Sequence, residues 1–416
     1  KLFNGENNKL KEKILISSWS NTDVISNEII TENIKYNSSV KSLAILCAGD
    51  RKIFSCISIL ENSLNEKDFE IKGCSSVSLL KMDCKHKNAK KILDDLLNSN
   101  NNMTLKKTLA LLTNSNNLID NKTFYKFLNH DSIEIRKEAI KVSKSYPSID
   151  LINPLLDNLS IPSLIEDINE ALKTQNELET LKKMSTLLER HSTSIKLKKG
   201  IYKSLKRYQN QESIDMLFKG LKEKDISLVS VAADSIYLIS KKKIIKNSNL
   251  DTLNKHINRI AKYGYLLHIF SNHFNLNQNT LLLKDHIDND LKEIIPILLK
   301  LGILENPEIP LETYIQYFQS QDEDLLPIVL ELVDSVFSKD NRNIIIPLID
   351  NDTDKIKKGY ELYPNILDDK KEILITWVEN DHYWKSVISI DYLLNNQEIN
   401  ILNKKNWDKI NCDIFS

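Results

Sequence analysis

Glycine and proline are scarce in this chain of 416 residues, which contains 8 glycines and 9 prolines. Together these two residues usually make up about 12% of a protein. A β protein of this length would need many more turn glycines, because tight β-hairpins place residues at positive φ. The alternation of Val, Thr and Tyr that is typical of strands is also nearly absent. The composition therefore predicts an all-α chain.

Cysteine and net charge are also lacking. The five cysteines are spread along a long chain, so they do not form the disulfide framework of a small secreted protein. We expect mostly buried thiols in a reducing compartment. Lys+Arg and Asp+Glu both number 57, whereas a general nucleic-acid binder is usually basic overall. Nucleic acid is therefore not the favoured partner.

Long apolar runs are missing as well. No stretch approaches the roughly 18 consecutive apolar residues of a membrane-spanning helix. No basic start followed by an apolar core indicates a signal peptide. We therefore expect a cytoplasmic protein with no transmembrane segment in these residues. Because the sequence begins at Lys1 without a Met, we also expect it to be a piece of a longer or processed protein.

The stretch 124–142 shows how the chain is built. A short amphipathic run is followed by a polar turn, Asn129-His130-Asp131, and a second helix begins at Ser132. In that helix apolar residues recur at intervals of four, three and four: Ile135, Ala139, Val142 and Tyr146. This spacing forms one apolar stripe of a helix. Two helices so close in sequence are expected to pack as an antiparallel hairpin.

The same stretch resembles the helical hairpin of HEAT repeats. The resemblance rests on Asp131 in the turn, on Ile135 and Arg136, and on Ala139 and Ile140. In that family the Asp and Arg lie at the turn and link neighbouring repeats, and the small Ala lets the helices approach closely. The resemblance implies an α-solenoid, which is a superhelical stack of HEAT-like antiparallel helix pairs.

The hairpin pattern recurs, as expected for a solenoid. Asp225, Asp322 and Asp381 each stand between an apolar run and a second periodic helix, and Asp68 marks a weaker copy. The Arg becomes Lys in two copies, one of them Lys385, and is absent after Asp225 and Asp322. The Asp–Arg ladder of the family is therefore incomplete here. We interpret residues 1–120 as divergent N-terminal helical repeats, 121–400 as the HEAT-like solenoid and 401–416 as a C-terminal tail.

A more specific resemblance rests on the order of several segments: Leu291–Leu304, Pro307, Tyr314–Phe318, Asp322, 330–334, Arg342 and 346–350. This order is similar to the HEAT-repeat region fused behind nucleotide (ATP/ADP) translocase-like membrane domains in some bacteria. The resemblance covers about residues 120–400. It implies a soluble, transport-associated module on the cytoplasmic side of a membrane, and it supplies no catalytic residue.

A basic stripe is predicted along one helix. Its members recur at intervals of three, four and three residues, with one neighbour: Lys196, Lys199, Lys203, Lys206 and Arg207. These positions lie on one helix face, which would suit phosphates or anionic lipid headgroups. A solvated outer face is the favoured interpretation, since charged outer faces are the norm. The lysines between 81 and 91 form a second cluster with the same two interpretations.

Two groups have the composition of a metal site without its spacing. Cys74, Cys84 and His86 lack the closely paired ligands of a zinc site. The acidic run 350–361 carries Lys355 where a calcium loop needs Gly. We therefore expect no metal and no cofactor.

No catalytic motif is present: the sequence contains no nucleophile elbow, no phosphate-binding loop and no zinc-protease motif. Trp377 and Trp384 flank a predicted turn. Exposed tryptophans would be binding anchors, but at helical spacing inside a repeat the core is the favoured position. The sequence therefore favours a non-enzymatic, protein-binding scaffold that is the cytoplasmic module of a larger membrane-anchored, transporter-like protein. The alternative is an adaptor that binds nucleic acid or anionic membrane through the basic helix face. A third hypothesis, a regulatory arm of an attached transporter domain, rests on resemblance alone.

Overall fold

The computed structural model describes residues 12–13, 15–16, 25–35, 40–83, 85–113, 115, 118–242, 247–274, 280–304, 311, 326–379 and 383–402. All regular secondary structure in these residues is helical, which confirms the all-α prediction. Packing divides the chain into two compact units, Lys1–His191 and Ser192–Ser416. The predicted boundary at residue 120 concerns the regularity of the repeats and stays a prediction.

The helices of the first unit are short, and polar side chains start many of them. Asp68, Asn101 and Asp120 each accept a hydrogen bond from a backbone N–H of the following first turn, where helical partners are missing. The helices are α1 (Asn27–Lys35), α2 (Lys41–Asp50), α3 (Ile57–Ser63), α4 (Phe69–Met82), α5 (Lys87–Leu97), α6 (Asn102–Leu111), α7 (Asn121–Leu128), α8 (Ile133–Ser143), α9 (Ile149–Asp157), α10 (Ile165–Leu172) and α11 (Glu177–Glu189).

Within this unit each helix packs mainly against its next and next-but-one neighbours. Helices α2, α4, α6, α8 and α10 contact one another in sequence and form what we call the even row. Helices α7, α9 and α11 form a second row, and pairs such as α7 with α8 connect the two rows. This is the nearest-neighbour stacking of a helical solenoid.

Hydrogen bonds between neighbouring hairpins recur at a nearly constant interval. The Asn158 amide donates to the Leu128 carbonyl over 2.9 Å, 30 positions earlier. The Ser78 hydroxyl donates to the Ile45 carbonyl over 2.8 Å, 33 positions earlier. The Leu118 N–H donates to the Tyr146 hydroxyl, 28 positions later. The first unit therefore repeats at an interval within the roughly 20–50 residues of solenoid repeats.

The second unit begins in the same way and then changes. The Ser235 hydroxyl donates to the Tyr202 carbonyl over 2.9 Å, 33 positions earlier. Its helices are α12 (Ile195–Leu205), α13 (Gln211–Gly220), α14 (Ile226–Ser240), α15 (Asn247–Asn272), α16 (Leu281–Gly302), α17 (Leu326–Val336), α18 (Lys339–Ile349), α19 (Lys355–Leu362), α20 (Lys370–Glu379) and α21 (Tyr383–Asn395).

The long helices α15 and α16 organise the rest of this unit. Helix α14 packs on α16, α15 packs on α16, α18 and α19, and α16 also contacts α21. Hydrogen bonds now join distant positions, such as the Tyr265 hydroxyl with the Ile344 carbonyl, 79 positions later. Trp377 is buried and packs against Phe270, which confirms its predicted core position. The side chain of Trp384 lies outside the described residues.

Two histidines of α15 make stability depend on pH. Burial lowers the pKa of His256 and of His268 to about 4, whereas an unfolded histidine titrates near pH ~6.5. The unfolded chain therefore binds more protons between these values, so we expect the free energy of unfolding to fall as the pH decreases from 6.5 towards 4. Urea denaturation at several pH values checks this. His256→Gln should make the free energy of unfolding depend less on pH, whereas His191→Gln, at an exposed position, should leave the dependence unchanged. An equal pH dependence in the native chain and both variants would refute the prediction.

Candidate functional site

The first predicted Asp–Arg pair lies in the hairpin of α7 and α8, with Asp131 in the turn and Arg136 near the start of α8. The Arg136 Nε donates to the His130 carbonyl, and its Nη1 lies 3.5 Å from the Asn158 Oδ1. Asp131 is exposed in the same turn and is not among the partners of Arg136 in the described residues. Arg136 therefore connects its own turn to the next hairpin through an amide.

A second arginine, Arg259 on α15, also donates to a backbone carbonyl of a hairpin. The Arg259 Nη2 donates to the Leu221 carbonyl at the end of α13, where helical carbonyls lack partners. This is the hairpin of Asp225, in which the sequence shows no Arg after the turn. The hairpin motif does not include Arg259, because this residue lies on α15, beyond the second helix of that hairpin.

Asp225 itself begins α14. It is buried, and its Oδ1 accepts a hydrogen bond from the Ser227 N–H over 2.7 Å. This is an N-cap, the same arrangement that Asp68 makes with the Glu70 N–H at the start of α4. The other two predicted turn residues, Asp322 and Asp381, lie outside the described residues.

The predicted basic stripe lies on α12 and its C-terminal end. Lys196 and Lys203 are exposed, and Lys199, Lys206 and Arg207 are half-buried. In the described part of the chain, no carboxylate pairs with the four lysines of the stripe.

A different lysine of the same helix is paired. The Lys198 Nζ lies 3.1 Å from the Glu223 Oε1, to which the Tyr202 hydroxyl also donates over 2.9 Å. The α12 surface thus contains one lysine paired with a carboxylate beside a stripe of lysines that have no carboxylate partner among the described residues. The second basic cluster differs, because two of its members pair with carboxylates: Lys81 with Asp50 and Lys90 with Asp94.

The candidate metal ligands have other partners. Cys74 is buried, and burial raises the pKa of its thiol to about 12, which makes it an unreactive thiol. The His86 Nδ1 accepts from the Ala89 N–H, and its Nε2 lies 3.1 Å from a Glu61 oxygen. Cys84 lies outside the described residues.

The acidic run that begins at Asp350 forms a hydrogen-bonded turn. The Thr353 hydroxyl donates to the Asp350 side chain over 2.6 Å, and the Lys355 ammonium donates to the Asp350 carbonyl over 2.9 Å. Asp354 then caps α19. Lys355, which stands where a calcium loop would need Gly, thus places its ammonium against the backbone of the same turn.

A cavity of about 340 Å³ lies in the second unit, lined by the start of α14, the first half of α16 and part of α21. The carboxylates of Asp225, Asp285 and Asp290 contribute to its lining, together with Lys385. Asp285 is exposed at the mouth, whereas Asp290 and Lys385 are buried. The cavity therefore combines an acidic entrance with a buried charged floor.

A hydrogen-bonded cluster holds that floor. The Lys385 Nζ donates to the Tyr263 hydroxyl over 2.6 Å and lies 3.3 Å from the Asp290 Oδ2. The Tyr263 hydroxyl donates to the same Asp290 oxygen over 2.6 Å. Burial and the Asp290 charge raise the pKa of Tyr263 well above its ordinary value, so the phenol stays protonated. The sequence identifies Lys385 only as a substitute for the Arg of a HEAT turn.

Comparisons with known proteins give no family. No family model matches the chain, and no curated protein matches it. No helix in the described ranges is both long and apolar enough to cross a membrane.

Solved structures match only distantly. An engineered protein from a structural genomics consortium is 14% identical, with 89% of this chain and 98% of that chain covered and a TM-score of 0.27. A homology model of the full-length AP-3 complex is 11% identical, with 100% and 94% covered and a TM-score of 0.31. Importin beta is 10% identical, with 97% and 59% covered and a TM-score of 0.32.

Proposed function

We propose that this chain is a non-catalytic scaffold that binds a protein through the exposed face of the even row. The observation that carries the proposal is the continuity of that face. Three ion pairs connect successive helices of the row: Glu70–Lys107 (3.3 Å), Lys106–Glu134 (2.6 Å) and Lys137–Asp167 (3.7 Å). Such surface pairs add little stability, so their value lies in the ordered, charged surface that they form.

Apolar side chains stand beside these pairs. Met103 lies at the start of α6 and Ile133 at the start of α8, and their relative exposures are 68% and 47%. The two helices are neighbours in the even row, and the pair of Lys106 with Glu134 joins the same two helices. Exposed apolar groups rimmed by charges favour protein binding, and a flexible Met adapts to its partner.

The test is co-purification from the source cells with the tagged full chain. Met103→Glu together with Ile133→Glu should reduce the recovered partner at least tenfold, because two buried contacts would become charged. The matched control is Tyr125→Glu, which changes an exposed side chain of the other row and should leave recovery unchanged. The proposal would be contradicted if the native chain, the double variant and the control recovered the partner equally. It would also be contradicted if no stoichiometric partner were recovered.

The basic stripe of α12 supports a second candidate, an adaptor for nucleic acid or anionic membrane. No carboxylate of the described residues pairs with the lysines of the stripe, so their ammonium groups are available to phosphates. Binding to duplex DNA or to vesicles that contain phosphatidylserine should then weaken steeply as salt is added. For DNA, the logarithm of the binding constant should fall with the logarithm of the salt concentration, with a slope of roughly −0.9 for each phosphate contacted. Lys196→Gln with Lys203→Gln should make that slope less steep, and the exposed Lys255→Gln should not. A slope unaffected by the double change would rule this candidate out.

We further propose that the scaffold belongs to a larger membrane-anchored, transporter-like protein, as its soluble cytoplasmic module. The support is the sequence resemblance between 291 and 350 to regions fused behind translocase-like membrane domains. The test is expression of the intact gene with a C-terminal tag, followed by a carbonate wash of the membranes. Retention in the washed membranes is expected. Release into the soluble fraction would contradict the membrane attachment but not the proposed scaffold.

A further inference from the structure

We propose that the cavity of the second unit binds an organic cation, meaning an alkylammonium or guanidinium group on an aliphatic stem. The cavity lies wholly within the second unit, whereas the proposed scaffold face belongs to the first. The proposal therefore does not depend on the proposed function. It rests on the charge of the lining, the form of the cavity and the buried groups at its floor.

The charge of the lining favours a cation. Three carboxylates line the cavity, against one ammonium from Lys385 and one imidazole from His286, whose Nε2 lies 3.9 Å from the Asp290 Oδ2. That ammonium is already engaged by Asp290 and the Tyr263 hydroxyl. The excess of carboxylates therefore gives the cavity a negative potential, which is strengthened inside a low-dielectric wall.

The form of the cavity favours a stem that carries the cation. Its volume of about 340 Å³ lies within the range of small-ligand sites, about 300–1,000 Å³. Leu282, which is 60% exposed, and Ile388 provide apolar wall near the exposed carboxylate of Asp285. Methylene groups would pack against this wall while a terminal N–H group reaches the carboxylates.

The floor is fixed before any ligand arrives. The Lys385 and Asp290 side chains are 7% and 8% exposed, and Tyr263 donates to the same Asp290 oxygen. Burying such a pair costs desolvation free energy that an apolar pair would not cost. Retaining it beside a cavity fits a role in orienting a polar ligand.

A compact metal ion fits this lining less well than an extended cation. Among the described residues, no three His, Cys, Asp or Glu side chains are grouped closely enough to hold a metal ion. The three carboxylates of the cavity therefore do not converge on one ion. A guanidinium or an amine with several N–H donors can reach more than one of them.

The experiment is isothermal titration calorimetry on the full chain with two probes. Agmatine represents a free organic cation, and N-acetyl-arginine amide represents an arginine side chain of a protein. Asp285→Asn should weaken binding at least tenfold, because it removes the exposed carboxylate at the mouth. Asp288→Asn is the matched control, since it makes the same charge change on α16 at a position outside the lining.

The titrations distinguish a free amine from an arginine side chain of a partner, and they identify the results that would overturn the proposal. Agmatine binding without capped arginine indicates a free amine, and binding of capped arginine indicates a partner side chain; both support the proposal. No binding of either probe at millimolar concentration overturns it. Equal weakening by the two Asn variants, or binding of inorganic phosphate that depends on Lys385, overturns it as well.

Discussion

Lys385→Met is expected to lower the free energy of unfolding by about 3–5 kcal/mol, because it leaves the Asp290 carboxylate buried without its cation. The Lys385 ammonium also lies 5.4 Å from the centre of the Trp377 ring, and the change removes this cation–π contact. Urea denaturation followed by circular dichroism measures the effect. The exposed Lys371→Met, a matched change on α20, should alter stability by no more than a few tenths of a kcal/mol.

A double change tests whether the penalty comes from the unpaired charge. Lys385→Met combined with Asp290→Leu removes both ions, so it should recover most of the lost stability. If Lys385→Met alone were as stable as the native chain, Lys385 would not be the buried partner of Asp290. If the double variant were no more stable than the single one, lost packing would explain the loss.

Ala139→Arg is expected to cost about 3–5 kcal/mol or to prevent folding of the first unit. Ala139 is fully buried in α8, a helix that packs against α6, α7 and α10. An arginine there would place a charge in a helix contact without a partner and overfill a close-packed site.

Thermal unfolding and solubility of the full chain measure this second effect. Ile133→Arg introduces the same side chain at the exposed start of the same helix, where it should cost less than about 1 kcal/mol. Unchanged unfolding of the Ala139→Arg chain would show that α8 does not use this residue as its contact with neighbouring helices.

Local properties of the chain are predictable from its sequence. The stripe of Ile135, Ala139 and Val142 is buried as its helical spacing indicates. The motif with an Asp in the turn nevertheless identifies only some hairpins. Asp131 and Asp225 lie 94 positions apart (225 − 131), whereas neighbouring hairpins in this region are linked over 28 to 33 positions. Between Asp131 and Asp225 the pattern therefore misses hairpins whose turns lack the Asp, such as the hairpin of α9 and α10.

The candidate cavity is not predictable in the same way. Lys385 meets Tyr263, 122 positions earlier, and Asp290, 95 positions earlier (385 − 290). These partners come together because α15 and α16 pack as a long pair against α21 and α19, which no local periodicity encodes. The Arg259 bond to the Leu221 carbonyl is missed for the same reason.

The measurement that tests the central claim most directly is photo-crosslinking in the source cells, with a benzophenone amino acid placed at position 103. That position lies on the exposed face of the even row, and a chain with the same probe at position 125, on the other row, serves as the comparison. The proposed scaffold predicts a discrete crosslinked protein from position 103 and none from position 125. No product from position 103, or the same product from both positions, would contradict a protein-binding face on the even row.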